Sequence, residues 1–444
     1  MDKTVYIVHA IDTEGPIYES LSATFERLNE ILGIKLSPNE DNLELLRNKE
    51  LDLGGKEEIA ASFVSKDKLD YNDSWHKIDI MLSKIMSEEF RNTLKDSFGG
   101  GWIYNWFCLD LVGFTSNPRG KDIGFHCIYD RYLDYITKYN SSQDSLQFHF
   151  HPMTIYKEAH KFSTSFVNSS YLYEILSRKI IERDFFPSSF RPGFHTERPD
   201  SNWFLEQWIP FDCANQAMDD MSEKENFDNL KNGRLGDWRG SPSDWSIYNP
   251  DLYDYRKKGN LNRFISRCLN MNARHSNLSQ NEVNKAFERA NIGEPTLMAF
   301  TNHDFRDMEP EIEAVINKIR KASYKFPDVS FKFCRVDEAF RYVIFGNEFE
   351  KLELDVKLYN ENNKVRLSIK TLQSEVFGPQ PFLAIKTKGN RFIHDNLDFG
   401  TDGKSWYYVF DDHTVIPSDI DTIGVAANNI YGDTFLKKIR INYE

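Results

Sequence analysis

Residues 4–16 read Thr-Val-Tyr-Ile-Val-His-Ala-Ile-Asp-Thr-Glu-Gly-Pro, an apolar run that ends in two carboxylates and a Gly-Pro turn. β-branched and aromatic residues are frequent in this run, which favours a buried β-strand over residues 4–12. Because successive strand side chains alternate between two faces, we expect Asp12 and Glu14 to point to one side where the strand ends. Carboxylates at the C-terminal end of a strand suit a site at a barrel mouth. The alternative is a capping Asp12 and a solvated Glu14 at an ordinary turn.

Similar short apolar segments recur along the chain and are separated by longer helical or irregular stretches, which predicts an α/β barrel. The predicted strands cover residues 4–12, 102–111, 146–153, 190–194, 208–215, 264–271, 296–302 and 329–334. About eight strands with intervening helices is the number that closes such a barrel. A chain of 444 residues exceeds one small core, so we expect a barrel and a smaller second module.

Two long segments are expected near the barrel mouth. An insertion at about residues 17–97 separates the first two predicted strands, and its apolar periodicity predicts helices over 21–32 and 78–94. We expect this insertion to form a cap. Residues 218–260 are rich in Asp, Asn, Gly, Ser, Trp and Tyr without a clear period, which indicates a long ordered loop.

The sequence pattern changes near residue 347, after which short predicted strands alternate with turns of Asn, Gly, Asp and Pro. This pattern is typical of a β-sandwich of roughly one hundred residues. We therefore predict a barrel domain over 1–346 and a sandwich domain over 347–444, whose role in substrate binding, dimerisation or packing stays open. The predicted sandwich strands cover residues 352–358, 365–371, 382–387, 406–410, 422–427 and 439–443.

The composition narrows the class of protein. Hydrophobic residues make up 40% and charged residues 28%, as in soluble globular proteins. A net charge of -13 without a dense Lys/Arg block argues against nucleic-acid binding. The N-terminal apolar run is too short for a signal peptide or a membrane span, so we expect a cytoplasmic protein. The cysteines lack C-x-x-C spacing and are expected to be reduced and mostly buried, at positions Cys108, Cys127, Cys213, Cys268 and Cys334.

The segment at residues 146–153 reads Leu-Gln-Phe-His-Phe-His-Pro-Met. Its i, i+2 spacing places His149 and His151 on one strand face, where the two imidazoles can share a metal ion. Buried structural histidines are the alternative interpretation.

Two further strand ends carry polar side chains. Arg191 precedes a Pro-Gly turn, and the apolar segment at 296–302 is followed by His303 and Asp304. Together, the four strand ends supply ligands for a divalent metal, a carboxylate base, an Arg to orient it and a His as general acid. The chain has no Gly-x-Ser-x-Gly elbow, phosphate loop or dinucleotide fingerprint, so this set indicates a metal-dependent hydrolase.

In these motifs and their order, residues 3–345 resemble the polysaccharide deacetylases of carbohydrate esterase family four, the chitooligosaccharide deacetylase (NodB) homology group. The similarity is greatest to the branch found in lipopolysaccharide O-antigen gene clusters. The family's first motif, Thr-Phe-Asp-Asp-Gly, corresponds here to Ile-Asp-Thr-Glu-Gly at residues 11–15. The resemblance implies Asp12 as the base and Glu14 as a metal ligand, although the alignment permits the reverse, or contact of both carboxylates with the metal.

The remaining motifs are assigned through the same resemblance. The His149-Phe-His151-Pro sequence is similar to the His-Leu-His-Pro variant of that branch, which implies two further metal ligands. Arg191 matches the residue that contacts the base, and His303 matches the residue that protonates the leaving group. The fourth motif has two candidates, Asp212 and Asp237. The implied fold is a distorted (β/α) barrel of NodB type, and the implied cofactor is zinc, with Co, Ni, Mn and Fe as alternatives.

The resemblance implies removal of an N-acetyl, or alternatively N-formyl, group from a nucleotide- or lipid-linked sugar during surface polysaccharide or lipopolysaccharide biosynthesis. A non-catalytic carbohydrate-binding protein with a degenerate barrel is one alternative, and a related metal hydrolase such as a deformylase, or a lyase, is another. Arg and Trp side chains in two loops suit an acidic or phosphorylated sugar, or else anchor those loops by packing. These candidate substrate-binding residues are Arg119, Trp238, Arg239 and Trp245.

Overall fold

The computed structural model describes residues 3–159, 165–219, 236–273, 275–346, 348–361 and 364–441. The first sheet consists of parallel strands β1 (Thr4–Thr13), β2 (Tyr104–Leu109), β3 (Ser145–Phe150), β4 (Ser189–Pro192), β5 (Phe211–Asn215), β6 (Phe264–Asn270), β7 (Thr296–His303) and β8 (Ser330–Phe333). Their order is β2-β3-β4-β5-β6-β7-β1-β8, and an additional pairing of β1 with β2 closes a ring of seven strands.

The predicted α/β barrel is confirmed and its sheet contains the eight predicted strands, but seven of them close the ring and β8 does not. The reason is the length of β1, whose two halves pair with different strands on one edge. Residues 4–7 of β1 pair with β8, whereas residues 9–13 pair with β2. β8 therefore lies beside the ring instead of within it.

The insertion after β1 is helical and attaches to loops at the C-terminal end of the barrel. The backbone N–H of Tyr18 donates to the carbonyl of Arg119 at 2.9 Å, and that of Asn72 donates to the carbonyl of Phe305 at 2.7 Å. The insertion therefore lies at the rim of the mouth. Its helices are α1 (Leu21–Leu32), α2 (Glu40–Asn48), α3 (Glu57–Phe63), α4 (Lys66–Leu69), α5 (Trp75–Ile85) and α6 (Glu88–Arg91).

The helix predicted over residues 21–32 is confirmed as α1, but one continuous helix over 78–94 is wrong. The chain breaks after Ile85, and the hydroxyl of Ser87 accepts the backbone N–H of Phe90 to cap α6. A side-chain cap of this kind starts a new helix, which apolar periodicity alone does not reveal.

The remaining helices lie between barrel strands or follow the last one. They are α7 (Cys127–Lys138), α8 (Leu172–Arg183), α9 (Pro199–Trp208), α10 (Gln280–Asn291), α11 (Glu309–Lys325) and α12 (Val336–Phe345). Residues 220–235 of the loop predicted over 218–260 lie outside the described residues.

Alternating side chains of β1 separate the barrel interior from its outer surface. Tyr6, Val8 and Ala10 pack inside, while Val5 and Ile7 pack against the surrounding helices. Every position of β1 is buried, as expected for a parallel strand covered on both faces. The next inward positions after Ala10 are at the C-terminal end of the strand, where the mouth begins.

The C-terminal part of the chain contains two antiparallel four-stranded sheets, ordered β13-β14-β10-β9 and β12-β11-β15-β16. The sandwich expected from the turn-rich sequence is consistent with these sheets and the apolar cluster they share. The last predicted strand, 439–443, is wrong, because the strand covers Thr434–Arg440, and residues 442–444 lie outside the described residues. The strands are β9 (Glu353–Glu361), β10 (Lys364–Gln373), β11 (Phe382–Thr387), β12 (Phe392–Asp395), β13 (Asp398–Phe399), β14 (Ser405–Phe410), β15 (Ile420–Asn428) and β16 (Thr434–Arg440).

The structure also describes the state of the cysteines and the character of the helices. All five cysteines are free, and all but Cys127 are buried. Within the described ranges, no helix has both the length and the apolar character that a membrane crossing requires.

Candidate metal centre at the barrel mouth

Side chains from four strand ends meet inside the barrel mouth. The register aligns Asp12 of β1 with His303 of β7, and His149 of β3 with Arg191 of β4. Residues aligned in a parallel sheet project to the same face, which is the barrel interior at these positions. The structure therefore brings together the strand ends that the sequence marks as polar.

Glu14, His149 and His151 form a compact group whose ligand atoms all lie within 4.8 Å of one another, and all three residues are buried. Nε2 of His149 lies 2.9 Å from Nε2 of His151. Oε1 of Glu14 lies 3.4 Å from the His151 Nε2 atom and 3.7 Å from the His149 Nε2 atom. Two imidazoles and one carboxylate match the ligands of catalytic zinc sites, which leave a further position open.

The hydrogen bond on the other side of the His149 ring supports this interpretation. Nδ1 of His149 lies 2.9 Å from the backbone carbonyl of Arg191, which can only accept, so Nδ1 carries the proton. In the neutral ring, Nε2 then presents its lone pair to His151 and Glu14. A backbone carbonyl in this position is the usual outer partner of a metal-binding His. The donor set therefore fits a divalent metal ion.

Asp12 is held by two hydrogen bonds from Arg191. Nε donates to Oδ1 at 2.5 Å and Nη2 donates to Oδ2 at 3.0 Å. Arg191 is fully buried and also donates to the carbonyl of Cys213. Burial raises the pKa of Asp12, but Arg191, His149 and His303 outweigh burial and keep that pKa below its ordinary value. Asp12 is therefore an oriented, ionised carboxylate.

His303 is the most open member of the group. Its side chain is 28% exposed, against 3% for Asp12 and 5% for Glu14. Its Nε2 lies 3.7 Å from Oδ2 of Asp12 and 3.9 Å from Oε1 of Glu14. Burial lowers the pKa of His303 to about 4, although both carboxylates act in the opposite direction. His303 thus lies at the entrance, facing both carboxylates.

Asp304 anchors the turn that carries Glu14. Its carboxylate accepts the backbone N–H groups of Glu14 and Gly15, each at 2.9 Å, and the hydroxyl of Tyr132 at 2.7 Å. Burial raises the pKa of Asp304 to about 6 despite these three donors. This network fixes the backbone at the end of β1 and, with it, the position of the Glu14 side chain.

Lys121 contacts the oxygen of Glu14 that faces away from the imidazoles. Its Nζ pairs with Oε2 of Glu14, and the side chains are each 5% exposed. Burial raises the pKa of Glu14, but Lys121 and then His151 outweigh burial and hold that pKa well below its ordinary value. One carboxylate oxygen of Glu14 therefore contacts the Lys121 ammonium, and the other faces the two imidazoles.

The turn after β4 supports His151 as well as Arg191. A Cβ on Gly193 would come within 2.3 Å of Cδ2 of His151, so only glycine allows the ring to lie there. Phe194 and His195 follow with φ values of 56° and 53°. Nδ1 of His195 then lies 3.3 Å from Nη2 of Arg191. One short segment therefore positions residues on both sides of the site.

Both candidates for the fourth motif lie in other ion pairs. Asp212 pairs with the fully buried Arg263 at 2.7 Å. Asp237 pairs with Arg239 at 2.9 Å and with Arg256 at 2.7 Å. The contacts of these described residues do not connect either carboxylate with the histidines at the mouth.

The predicted substrate-binding tryptophans are packed inside the protein. Trp238 and Trp245 are each 1% exposed, and their indole N–H groups donate to backbone carbonyls at 2.8 and 3.0 Å. This favours the interpretation as loop anchors, because neither ring offers a face to a sugar. Arg119 and Arg239 each lie near a carboxylate that takes up their charge.

Three residues that contact the site residues had no role assigned from the sequence, namely Asp304, His195 and Lys121. Asp304 and His195 lie next to assigned motifs, so their proximity was a usable signal. Lys121 lies in an irregular stretch without strand or motif spacing, and its contact with Glu14 appears only in the folded chain.

Comparisons of this chain with protein-family models, curated proteins and solved structures give no match.

Proposed function

We propose that this chain is a metal-dependent hydrolase that removes an N-acyl group, in particular acetyl, from a sugar. The observation that carries the proposal is the buried Glu14, His149 and His151 group, beside an Asp12 oriented by Arg191. A hydrolase of this type needs both parts, because one holds the cofactor and the other accepts a proton.

Zinc is the metal proposed for this site, and a bound divalent ion would polarise the acyl carbonyl and lower the pKa of a bound water. Asp12 is proposed as the base that accepts the proton of the attacking water, with Arg191 holding the carboxylate in one orientation. His303 is proposed to pass the proton that Asp12 accepts on to the leaving amine through Nε2, since this atom lies 3.7 Å from Oδ2 of Asp12 and faces the carboxylates from the open side.

The substrate and setting extend the motif resemblance. We propose a NodB-type barrel that acts in the cytoplasm on a nucleotide- or lipid-linked sugar during surface polysaccharide or lipopolysaccharide biosynthesis. A deformylase would use the same residues, so released acetate and formate are measured in parallel.

The test combines metal analysis of the purified protein with acetate release from N-acetylated sugars. We expect about one zinc per chain, and loss of both metal and turnover in His149→Ala and His151→Ala. His413→Ala is the matched control, because that side chain is 87% exposed in the C-terminal part. Full metal content in both site variants would show that these histidines are not ligands.

A second candidate is a non-catalytic glycan-binding protein. The observation that favours it is the pairing of Lys121 with Glu14, which already neutralises the carboxylate of the ligand group. Isothermal titration with N-acetylated sugars separates the two candidates. Tight binding without acetate or formate release would support the second.

A further inference from the structure

The two carboxylates of the site are already paired with cations. Arg191 pairs with Asp12, and Lys121 pairs with Glu14. The formal charges of these four side chains cancel. A divalent cation added to these four side chains would leave two positive charges in a buried site, where solvent screens them little, and the nearby carboxylate of Asp304 would offset at most one of them.

We propose that the charge of Lys121 opposes the binding of a divalent metal ion at Glu14, and that its ammonium withdraws from Oε2 of this carboxylate as the site is loaded. This inference rests on the proposed function only in taking Glu14, His149 and His151 as the ligands. It assigns to Lys121 the role of setting the metal affinity.

Lys121 is the cation that can withdraw. Arg191 is fully buried, and its guanidinium donates hydrogen bonds to Asp12, to the Cys213 carbonyl and to the sulfur of Cys268. Among the described residues, the acceptor for the Lys121 ammonium is the carboxylate of Glu14. A lysine also has a flexible four-carbon stem, so its charge can move without a backbone change.

The backbone around Lys121 is held in place. The Asn117 side chain accepts the Lys121 N–H at 3.1 Å and donates to the Lys121 carbonyl at 2.6 Å. Next to it, the indole of Trp75 donates to Asp122 at 2.8 Å. Withdrawal is therefore a movement of the side chain, with the loop fixed by its own asparagine and by the helical insertion.

The experiment measures the dissociation constant for Zn²⁺ by competition with a chromogenic chelator at one pH. Lys121→Met and Lys121→Gln both remove the competing charge, and Lys77→Met, on an exposed helical position, is the matched control. We expect both site variants to bind Zn²⁺ at least about tenfold more tightly, because a buried positive charge no longer opposes the ion. Lys77→Met should bind as the unchanged protein does.

Thermal unfolding gives a second readout that does not depend on activity. Without metal, the Lys121 variants should unfold at lower temperature, because Glu14 loses its buried partner. Saturating Zn²⁺ should therefore raise their unfolding temperature by more than that of the unchanged protein. Loss of folding in one variant leaves the other to decide.

Each outcome is decisive. Tighter binding by the variants supports the proposal, as does binding by the variants when the unchanged protein binds no metal. Equal or weaker binding by the variants, beside a protein that binds Zn²⁺, overturns the role of Lys121 and leaves the metal site standing. Absence of binding in every form overturns this inference and the ligand assignment together.

Discussion

The carboxylate oxygens of Asp12 and Glu14 contact different partners. Both oxygens of Asp12 accept hydrogen bonds from Arg191, whereas Oε1 of Glu14 faces the two imidazoles. Since a ligand needs an oxygen that points at the metal, this difference favours Glu14 as the ligand and Asp12 as the base. The sequence left this choice open, because both residues lie on one face at the same strand end.

Replacing Arg191 with Gln tests the role of the guanidinium. We expect acetate release to fall at least about 100-fold, since a displaced catalytic group costs that much, while zinc content persists. Stability should fall by about 3–5 kcal/mol, because Asp12 becomes an unpaired buried charge. Arg191→Lys, which keeps the charge without the fork, should be intermediate in activity. Unchanged turnover in Arg191→Gln would contradict the role of the pair.

Gly193→Ala tests the close approach of the His151 ring. The added Cβ would lie 2.3 Å from Cδ2 of His151, so the ring must leave its present position in the ligand group. We expect zinc affinity to fall about 10- to 100-fold, the usual effect of disturbing the support of a ligand. Gly389→Ala is the control, since its Cβ would find its nearest atom at 3.8 Å. Equal zinc affinity in the two variants would exclude this supporting role.

At the scale of elements, the backbone at the C-terminal end of β1 is held by Asp304, the residue that directly follows β7. Asp304 accepts the backbone N–H groups of Glu14 and Gly15, which would otherwise be buried without partners. Asp304→Asn turns one acceptor into a donor, so we expect the unfolding free energy to fall by about 2 kcal/mol or more. Chemical denaturation measures this loss. Tyr132→Phe removes a single donor and should cost about 1 kcal/mol, and a larger effect from Tyr132→Phe would contradict the proposed anchor.

Element types were predictable from sequence because each depends on a local period. Alternating or continuous apolar runs indicated the barrel strands, and turn-rich strands indicated the second module. Ring closure was not predictable, because it depends on which strand pairs with one edge of β1 over residues 4–7 and which over residues 9–13. The contact of Lys121 with Glu14 was hidden for a similar reason, since an irregular loop has no period that reveals its path.

At the scale of the whole molecule, the barrel and the C-terminal sheets share an apolar cluster. Trp208 of α9 packs against Phe382 of β11 with ring centroids 5.1 Å apart. The Asn428 side chain donates to the carbonyls of Pro187 and Trp208, each at 2.8 Å. A shared core with buried hydrogen bonds across it couples the unfolding of both parts, so calorimetry should show a single transition.

Asn428→Ala tests this coupling. The substitution leaves the two buried carbonyls without donors, and we expect a loss of about 2–4 kcal/mol in the free energy of unfolding. The transition should remain single, and zinc affinity should stay unchanged, because the mouth belongs to the barrel alone. Asn360→Ala, at an exposed position of β9, is the matched control and should be nearly neutral. A second calorimetric transition in Asn428→Ala, with the first unmoved, would show that the two parts unfold independently and that the shared cluster does not couple them.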